Sequence, residues 1–459
     1  MTETTSTAAL RRAVDAVLPG VRADLEHLVR IPSVSADPAA AAEVARSAQE
    51  TARLLRQEGL EVEVLTVEGG QPAVVGTRPA PPGAPTVLLY AHHDVQPTGA
   101  RADWHSDPFT PTERDGRLFG RGAADDKAGI AVHLAALRAH DVRTPHALPV
   151  GVVVLVEGEE EIGSPTLAAF LQAHSDRLAA DVLVLADSTN WAVGVPALTT
   201  SLRGLADCVV EVRTLTHALH SGMYGGPAPD ALTALCRLLA TLHDDAGEVA
   251  VPGLSTGPAD PLDLTEERFR SEAGVLPGVS LLGSGSVTER LWTRPAVSVI
   301  GLDAPGTAGA SNTLLPVARA KVSLRVAPGQ DAAAALSALT KHLEANAPWG
   351  ARVTVLPGSI GAPFAADARG PAYDAARSAF ADAWGTPPVD AGVGGSIPFI
   401  AAFAEVFPAA AILVTGVEDP DSRAHGADES LHLGEFARAC LAEALLLQRL
   451  ADLPRSDAG

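Results

Sequence analysis

The stretch Val150-Gly151-Val152-Val153-Val154-Leu155-Val156-Glu157-Gly158-Glu159-Glu160-Glu161-Ile162-Gly163-Ser164 decides how this chain is read. The apolar run Val150–Leu155 has the continuous, β-branched character of a strand buried on both faces, as in a parallel sheet covered by helices. Carboxylates then crowd the end of that strand until Gly163 stops the run. Adjacent Glu160 and Glu161 at a buried strand end repel each other unless cations or a shared proton compensate. The plain alternative is a solvated acidic turn at a sheet edge. Other strand ends decide between the two.

Working outward, Pro85–Tyr90 reads as a short strand running into Ala91-His92-His93-Asp94, and Asp181–Asp187 as a buried strand ending in an acid. Helical spacing marks Ala8–Val29, with a break expected near Pro19-Gly20, and also Ala39–Gly59, Ile130–His140 and Pro165–Leu178. The polar loop Gln96–Leu118 leads into Gly120-Arg121-Gly122-Ala123-Ala124-Asp125-Asp126-Lys127. Strands alternating with helices predict an α/β catalytic domain with a central, mostly parallel sheet and a site along its C-terminal edge. From about Ser201 the order becomes strand, helix, strand, strand, helix, strand, closing at Arg352–Val355. That order predicts a smaller α+β sandwich interrupting the first domain. Residues 251–285, rich in Pro, Gly and charge, read as a long surface excursion. We therefore expect residues 1–200 and 365–459 to form the catalytic domain and 201–364 to form a lid or dimerisation domain.

The bulk numbers fit an ordinary globular protein. With 459 residues, 47% hydrophobic and 19% charged, the chain calls for more than one core. A formal charge of −21 argues against nucleic acid or an anionic membrane as partner. Three scattered cysteines imply no disulfide framework. No apolar run reaches the roughly 18 residues of a membrane span, and Met1–Pro19 lacks the apolar core of a signal peptide. A cytoplasmic enzyme is the expectation.

The strand ends and one late loop offer His92, Asp94, Asp125, Glu160, Glu161, Asp187 and His425. Imidazole and carboxylate without thiolate suit a hydrolytic Zn²⁺ or Mn²⁺ site. A metal pair would relieve the repulsion at Glu160 and Glu161, with one carboxylate bridging the ions and another free as general base. Asp94 lies two residues past His92 and so points the same way along an extended chain, where it can accept the second ring N–H. Taken singly, each signal has an ordinary structural explanation; their placement at successive strand ends does not.

Three runs, Tyr90-Ala91-His92-His93-Asp94-Val95-Gln96-Pro97, Gly120–Lys127 and Glu160-Glu161-Ile162-Gly163-Ser164, resemble motifs of one di-zinc metallopeptidase family. Its members include cytosolic nonspecific dipeptidase, carnosinase, aminoacylase, acetylornithine deacetylase, succinyl-diaminopimelate desuccinylase and glutamate carboxypeptidase. The resemblance implies that Asp125 bridges two Zn²⁺ ions, with Mn²⁺ or Co²⁺ as alternatives. By the same resemblance His92 and Asp187 complete one metal's ligands, and Glu161 and His425 the other's. Glu160 would be the general base and Asp94 the partner of His92, and the Asp125-Asp126 peptide would be cis.

Further matches resemble the dipeptidase branch. His220-Ser221-Gly222-Met223-Tyr224-Gly225-Gly226 is similar to a lid motif whose His stabilises the oxyanion in the other subunit of a homodimer. Gly394-Gly395-Ser396-Ile397-Pro398 and Arg325 resemble groups that hold the substrate's C-terminal carboxylate, so Gly395, Ser396 and Arg325 are candidate substrate contacts. Asp428 stands where Asn is more usual, and His93 where many members carry Tyr. His105, His217 and His432 have no motif behind them, and Glu157 and Glu159 are expected to be solvated or supporting. The function so implied is hydrolysis of dipeptides or short peptides with a free carboxylate. An N-acyl-amino-acid deacylase or glutamate carboxypeptidase on the same metal centre is the nearest alternative. A metal-free binding protein of the same fold is another, whereas the lack of a Gly-rich phosphate loop disfavours a phosphoesterase.

Overall fold

The computed structural model describes residues 2–143, 148–395 and 398–453. Within it the chain forms two compact units, one of Met1–Thr200, Ala366–Ala391 and Phe399–Gly459, the other of Ser201–Ala365 with the short return Gly392–Pro398.

The first unit is organised on the strand Gly151–Glu157, all seven residues of which are buried. It pairs in parallel with Thr86–His92, which pairs in parallel with Val182–Leu185, which in turn pairs in parallel with Ala411–Val414. Antiparallel strands extend the sheet: Ala73–Arg78 and Glu61–Leu65 on one side, Ala197–Leu202 on the other. Fully burying a Val or Leu is worth roughly 1.5–3 kcal/mol, so this valine-rich strand is a natural centre for the core. Helices Thr2–Val29, Lys127–Arg143, Pro371–Trp384 and Leu433–Leu450 pack on one another, and their apolar faces join the core of the sheet. The mixed α/β architecture with helix-flanked sheet is the one expected.

Two local readings need correction. Helix Thr2–Val29 runs unbroken through Pro19. Pro19 and Gly20 lie on its exposed side, whereas Leu10, Val14, Val21, Leu25 and Leu28 are buried on both sides of them. A proline forfeits one helical hydrogen bond, and continuous packing of the opposite face outweighs that loss. The polar loop before Gly120 contains two short strands, Thr112–Arg114 and Arg117–Phe119, the second pairing with Ser430–His432. Of the two readings left open for Glu157 and Glu159, the supporting one holds, since both are buried.

The second unit is a four-stranded antiparallel sheet in the order Ala296–Asp303, Val317–Val326, Gly204–Arg213, Arg352–Gly361. Helices Ala231–Ala240 and Ala332–Ala345 pack against it. Ala206, Cys208, Val210 and Val212 alternate into this second core, together with Ala318, Ala320, Val322 and Leu324 on the next strand. Each helix starts at an aspartate whose carboxylate accepts a first-turn N–H, Asp230 from Thr233 at 2.8 Å and Asp331 from Ala334 at 2.6 Å.

Candidate metal centre

The first unit's parallel strands deliver polar side chains at their C-terminal ends. His92 closes its strand directly opposite Glu157. Glu160 and Glu161 follow in the single turn Glu160–Ile162, which Gly163 ends at φ 86°, a left-handed conformation that glycine adopts without penalty. Asp187 lies two residues past Val182–Leu185, and Asp125 two before helix Lys127–Arg143. His425 comes from the loop beyond Ala411–Val414.

These groups meet. His92 Nε2 is 3.1 Å from Asp125 Oδ1, and His425 Nε2 is 3.1 Å from Asp125 Oδ2, so two imidazoles face the two oxygens of one carboxylate. His425 Nε2 is also 3.2 Å from Glu161 Oε2, an atom shielded from solvent. Ligand atoms of His92, Asp125 and Glu161 lie within 4.8 Å of one another, as do those of His92, Glu160 and Asp187. The peptide Asp125-Asp126 is cis.

The charges do not balance. Four carboxylates share two imidazoles. Burial and then the charge of Asp187 push Glu160 well above the usual carboxylate range, and burial with the charge of Asp125 raises Glu161. Burial, with Asp125 nearby, lifts Asp187 to about 7. Against its own burial, Asp125 is held low by the two imidazoles, and hydrogen bonds to Asp125 and Glu161 raise His425 to about 11. Imidazoles and carboxylates converging in a partly buried cluster with more carboxylates than imidazoles fit a divalent cation of the Zn²⁺ or Mn²⁺ kind.

A second layer holds these groups in place. His92 Nδ1 lies 3.1 Å from the main-chain oxygen of Asp94 and 3.4 Å from its carboxylate. The Asp94 carboxylate instead accepts the N–H groups of Glu160 and Glu161, at 3.2 and 3.1 Å, tying one strand end to the next. Asp126 accepts the His92 N–H. Glu159 accepts from Gln71 N, Thr166 N and Thr166 Oγ1, bracing the acidic turn. His93, buried and shifted down to about 4 by that burial, sits 2.8 Å from Pro72 O through Nε2. Lys127 Nζ donates to Leu28 O and Ile31 O, so it supports the loop, and its burial lowers it to about 7.

Two residues in this layer had no role in the sequence reading. Glu429 is fully buried and accepts the N–H groups of Gly122, Ala124 and Asp125. Its partner Arg121 pairs with it at 2.6 Å and donates to the carbonyls of His425 and Gly426 at 3.0 and 3.2 Å. The loop so gripped carries Arg423, His425 and Asp428 at φ 56°, 62° and 57°, a region costly for residues with a side chain. Asp428 adds an anchor by accepting the His105 N–H and pairing with the His105 ring. Two charged residues among small ones were the available signal. Glu418, half-buried and raised by loss of solvent and by the charge of Asp125, had no motif to mark it. Arg121→Met should cost about 3–5 kcal/mol, because it strands Glu429 as a buried unpaired charge. Denaturant unfolding tests this; a loss below about 1 kcal/mol would show that the pair is not the anchor.

In the second unit, His220 is exposed and its Nδ1 accepts the Gly222 N–H at 3.1 Å, capping the turn Ser221–Tyr224. Arg325 is half-buried on Val317–Val326, and Gly395 is half-buried in a bend. Ser396 lies outside the described residues.

The model of peptidase family M20/M25/M40 matches residues 88–449. A cysteinylglycine-S-conjugate dipeptidase from Corynebacterium striatum is 38% identical over 400 residues, covering 86% of this chain and 87% of the relative. A human β-Ala-His dipeptidase is 29% identical over 365 residues, 75% of this chain and 70% of its own. Human carnosine dipeptidase 1 superposes with a TM-score of 0.83 at 26% identity, covering 97% of this chain and 99% of that one. Dug1p from Saccharomyces cerevisiae shares the fold, with a TM-score of 0.82 at 23% identity over 98% of this chain and 99% of its own.

Proposed function

The chain belongs to peptidase family M20/M25/M40, and from that premise we propose that it is a dipeptidase using two metal ions, with Zn²⁺ as the native pair. Metal-dependent dipeptide hydrolysis fits its similarity to Cys-Gly and β-Ala-His dipeptidases. The single observation that carries the two-ion reading is Asp125, whose two oxygens each face a different imidazole.

We assign His92, Asp125 and Asp187 to one ion and Asp125, Glu161 and His425 to the other. When bound, such ions acidify a water and polarise the scissile carbonyl. The protein's part is to place and move protons. Glu160 takes the proton of the attacking water and returns it to the leaving amine. Asp94 and Glu429 keep Glu160, Glu161 and Asp125 in register through their backbone N–H groups. The substrate's free carboxylate is assigned to Arg325, Gly395 and Ser396, which favours short peptides over proteins. We further propose a homodimer in which His220 of each chain steadies the oxyanion in the site of the other. A cytoplasmic location suits the free Cys208, Cys236 and Cys440.

A substrate panel tests the reading. The metal-loaded enzyme should cleave free dipeptides, Cys-Gly, Cys-Gly S-conjugates and β-Ala-His among them, with kcat/KM at least 100-fold above that for N-acyl amino acids. Activity confined to the acyl compounds would make the protein a deacylase instead.

A further inference from the structure

The excursion of the second unit does more than cover surface. Together with Arg203 and Leu291 it lines an open cavity of about 390 Å³, with Phe269, Val275 and Leu281 among its walls. At its mouth Val279 and Leu282 are 51% and 65% exposed, so the apolar lining continues into an apolar rim. Exposed apolar surface around a concavity marks a place where something binds.

Arg203 gives the cavity its chemistry. Its side chain is held by carbonyl oxygens, Nε donating to Gly394 O at 3.0 Å and Nη1 to Arg290 O and Arg294 O at 3.4 and 3.3 Å. Gly394 is the residue such an approach needs, because a Cβ there would lie 2.9 Å from Arg203 Nη2. The residue is only 8% exposed, yet among the described residues no carboxylate lies within ion-pair distance of it. The nearby acids are already engaged: Glu266 with Arg290, and Glu248 and Glu289 with Arg294. Burial and the neighbouring Arg325 lower Arg203 to about 10, which leaves it cationic at neutral pH. Carbonyl dipoles orient a buried guanidinium but do not neutralise it.

We infer that this cavity is a binding site for a small amphipathic carboxylate, with its head on Arg203 and its aliphatic or aromatic body against Phe269, Leu281 and Leu282. The volume suits a body of roughly ten to fifteen non-hydrogen atoms. The inference rests on the second unit alone and does not depend on the hydrolytic reading.

The probe is 4-phenylbutyrate, with 4-phenylbutan-1-ol as its uncharged twin, titrated against the metal-loaded full chain by ligand-observed NMR. The acid should bind saturably with a low-millimolar Kd or tighter, and at least tenfold more tightly than the alcohol. Arg203→Met should abolish that preference. Val279→Asp, a change at the half-exposed mouth that tests the site even where Arg203→Met does not fold, should weaken the acid at least tenfold and leave dipeptide hydrolysis unchanged. Equal affinity for acid and alcohol, an acid affinity unmoved by Val279→Asp, or no saturation by about 20 mM would each overturn the assignment.

Discussion

Glu160→Ala is expected to lower kcat for dipeptide hydrolysis by about 10³–10⁴-fold while both metals stay bound. The loss corresponds to about 4–5.5 kcal/mol of transition-state stabilisation. Glu160 is half-buried at the end of the central strand, and among the described residues no cation is ion-paired with it. Burial and the charge of Asp187 favour its protonated form, so it is a carboxylate ready to accept a proton. The geometry also contains a rival role, because Glu160 lies within ligating distance of His92 and Asp187. Metal analysis separates the two. A base leaves the metal content of the variant intact; a ligand takes about one equivalent with it. Near-normal turnover would remove Glu160 from the mechanism altogether.

Asp125→Ala should be harsher. It removes the carboxylate that, among the described residues, pairs with both His92 and His425, so both metals should be lost and hydrolysis should fall below detection, by more than about 10⁴-fold. A group that binds only the folded state stabilises it by about 4 kcal/mol at 1,000 times its Kd. The variant should therefore melt as low as chelator-treated wild type and gain nothing from added Zn²⁺. Glu161→Ala provides the contrast, since it should cost one equivalent of metal. A variant of Asp125 that still holds two would sink the bridging assignment.

Much of the catalytic framework was legible because its signals are local. Continuous valine runs mark buried strands, and the acids and histidines just past them mark the edge where a site forms. Asp230 and Asp331 announce helix starts in the second unit in the same way. What could not be read depends on partners far along the chain. Pro19 looked like a helix end because the faces of Lys127–Arg143 and Leu433–Leu450 that hold the helix together are distant in sequence. For Glu157 and Glu159 the choice between solvated and supporting stayed open, because an acidic run carries no sign of what covers it. Arg121 and Glu429, 308 residues apart, are individually unremarkable, and their pairing exists only once the sheet has brought both loops to one edge. Asp94 shows the limit within a motif: its spacing from His92 was apparent, but its bonds to Glu160 and Glu161 were not.

The position of Ala411–Val414, between Val182–Leu185 and Ala197–Leu202, bears on how the enzyme comes into being at the ribosome. An interior strand is among the last to be synthesised, and His425 follows its end by 11 residues. At about 5–20 residues per second, the ribosome needs roughly 12–48 s to pass from Asp187 to His425. Throughout that interval the emerging polypeptide carries most of a peptide-cleaving apparatus without the piece that closes its sheet. A stalled or clipped product ending before Ala411 should consequently be inert toward cellular peptides. Such a product would also expose the unpaired edges of two buried strands, Val182–Leu185 and Ala197–Leu202, which makes it prone to association until Ala411–Val414 fills the gap.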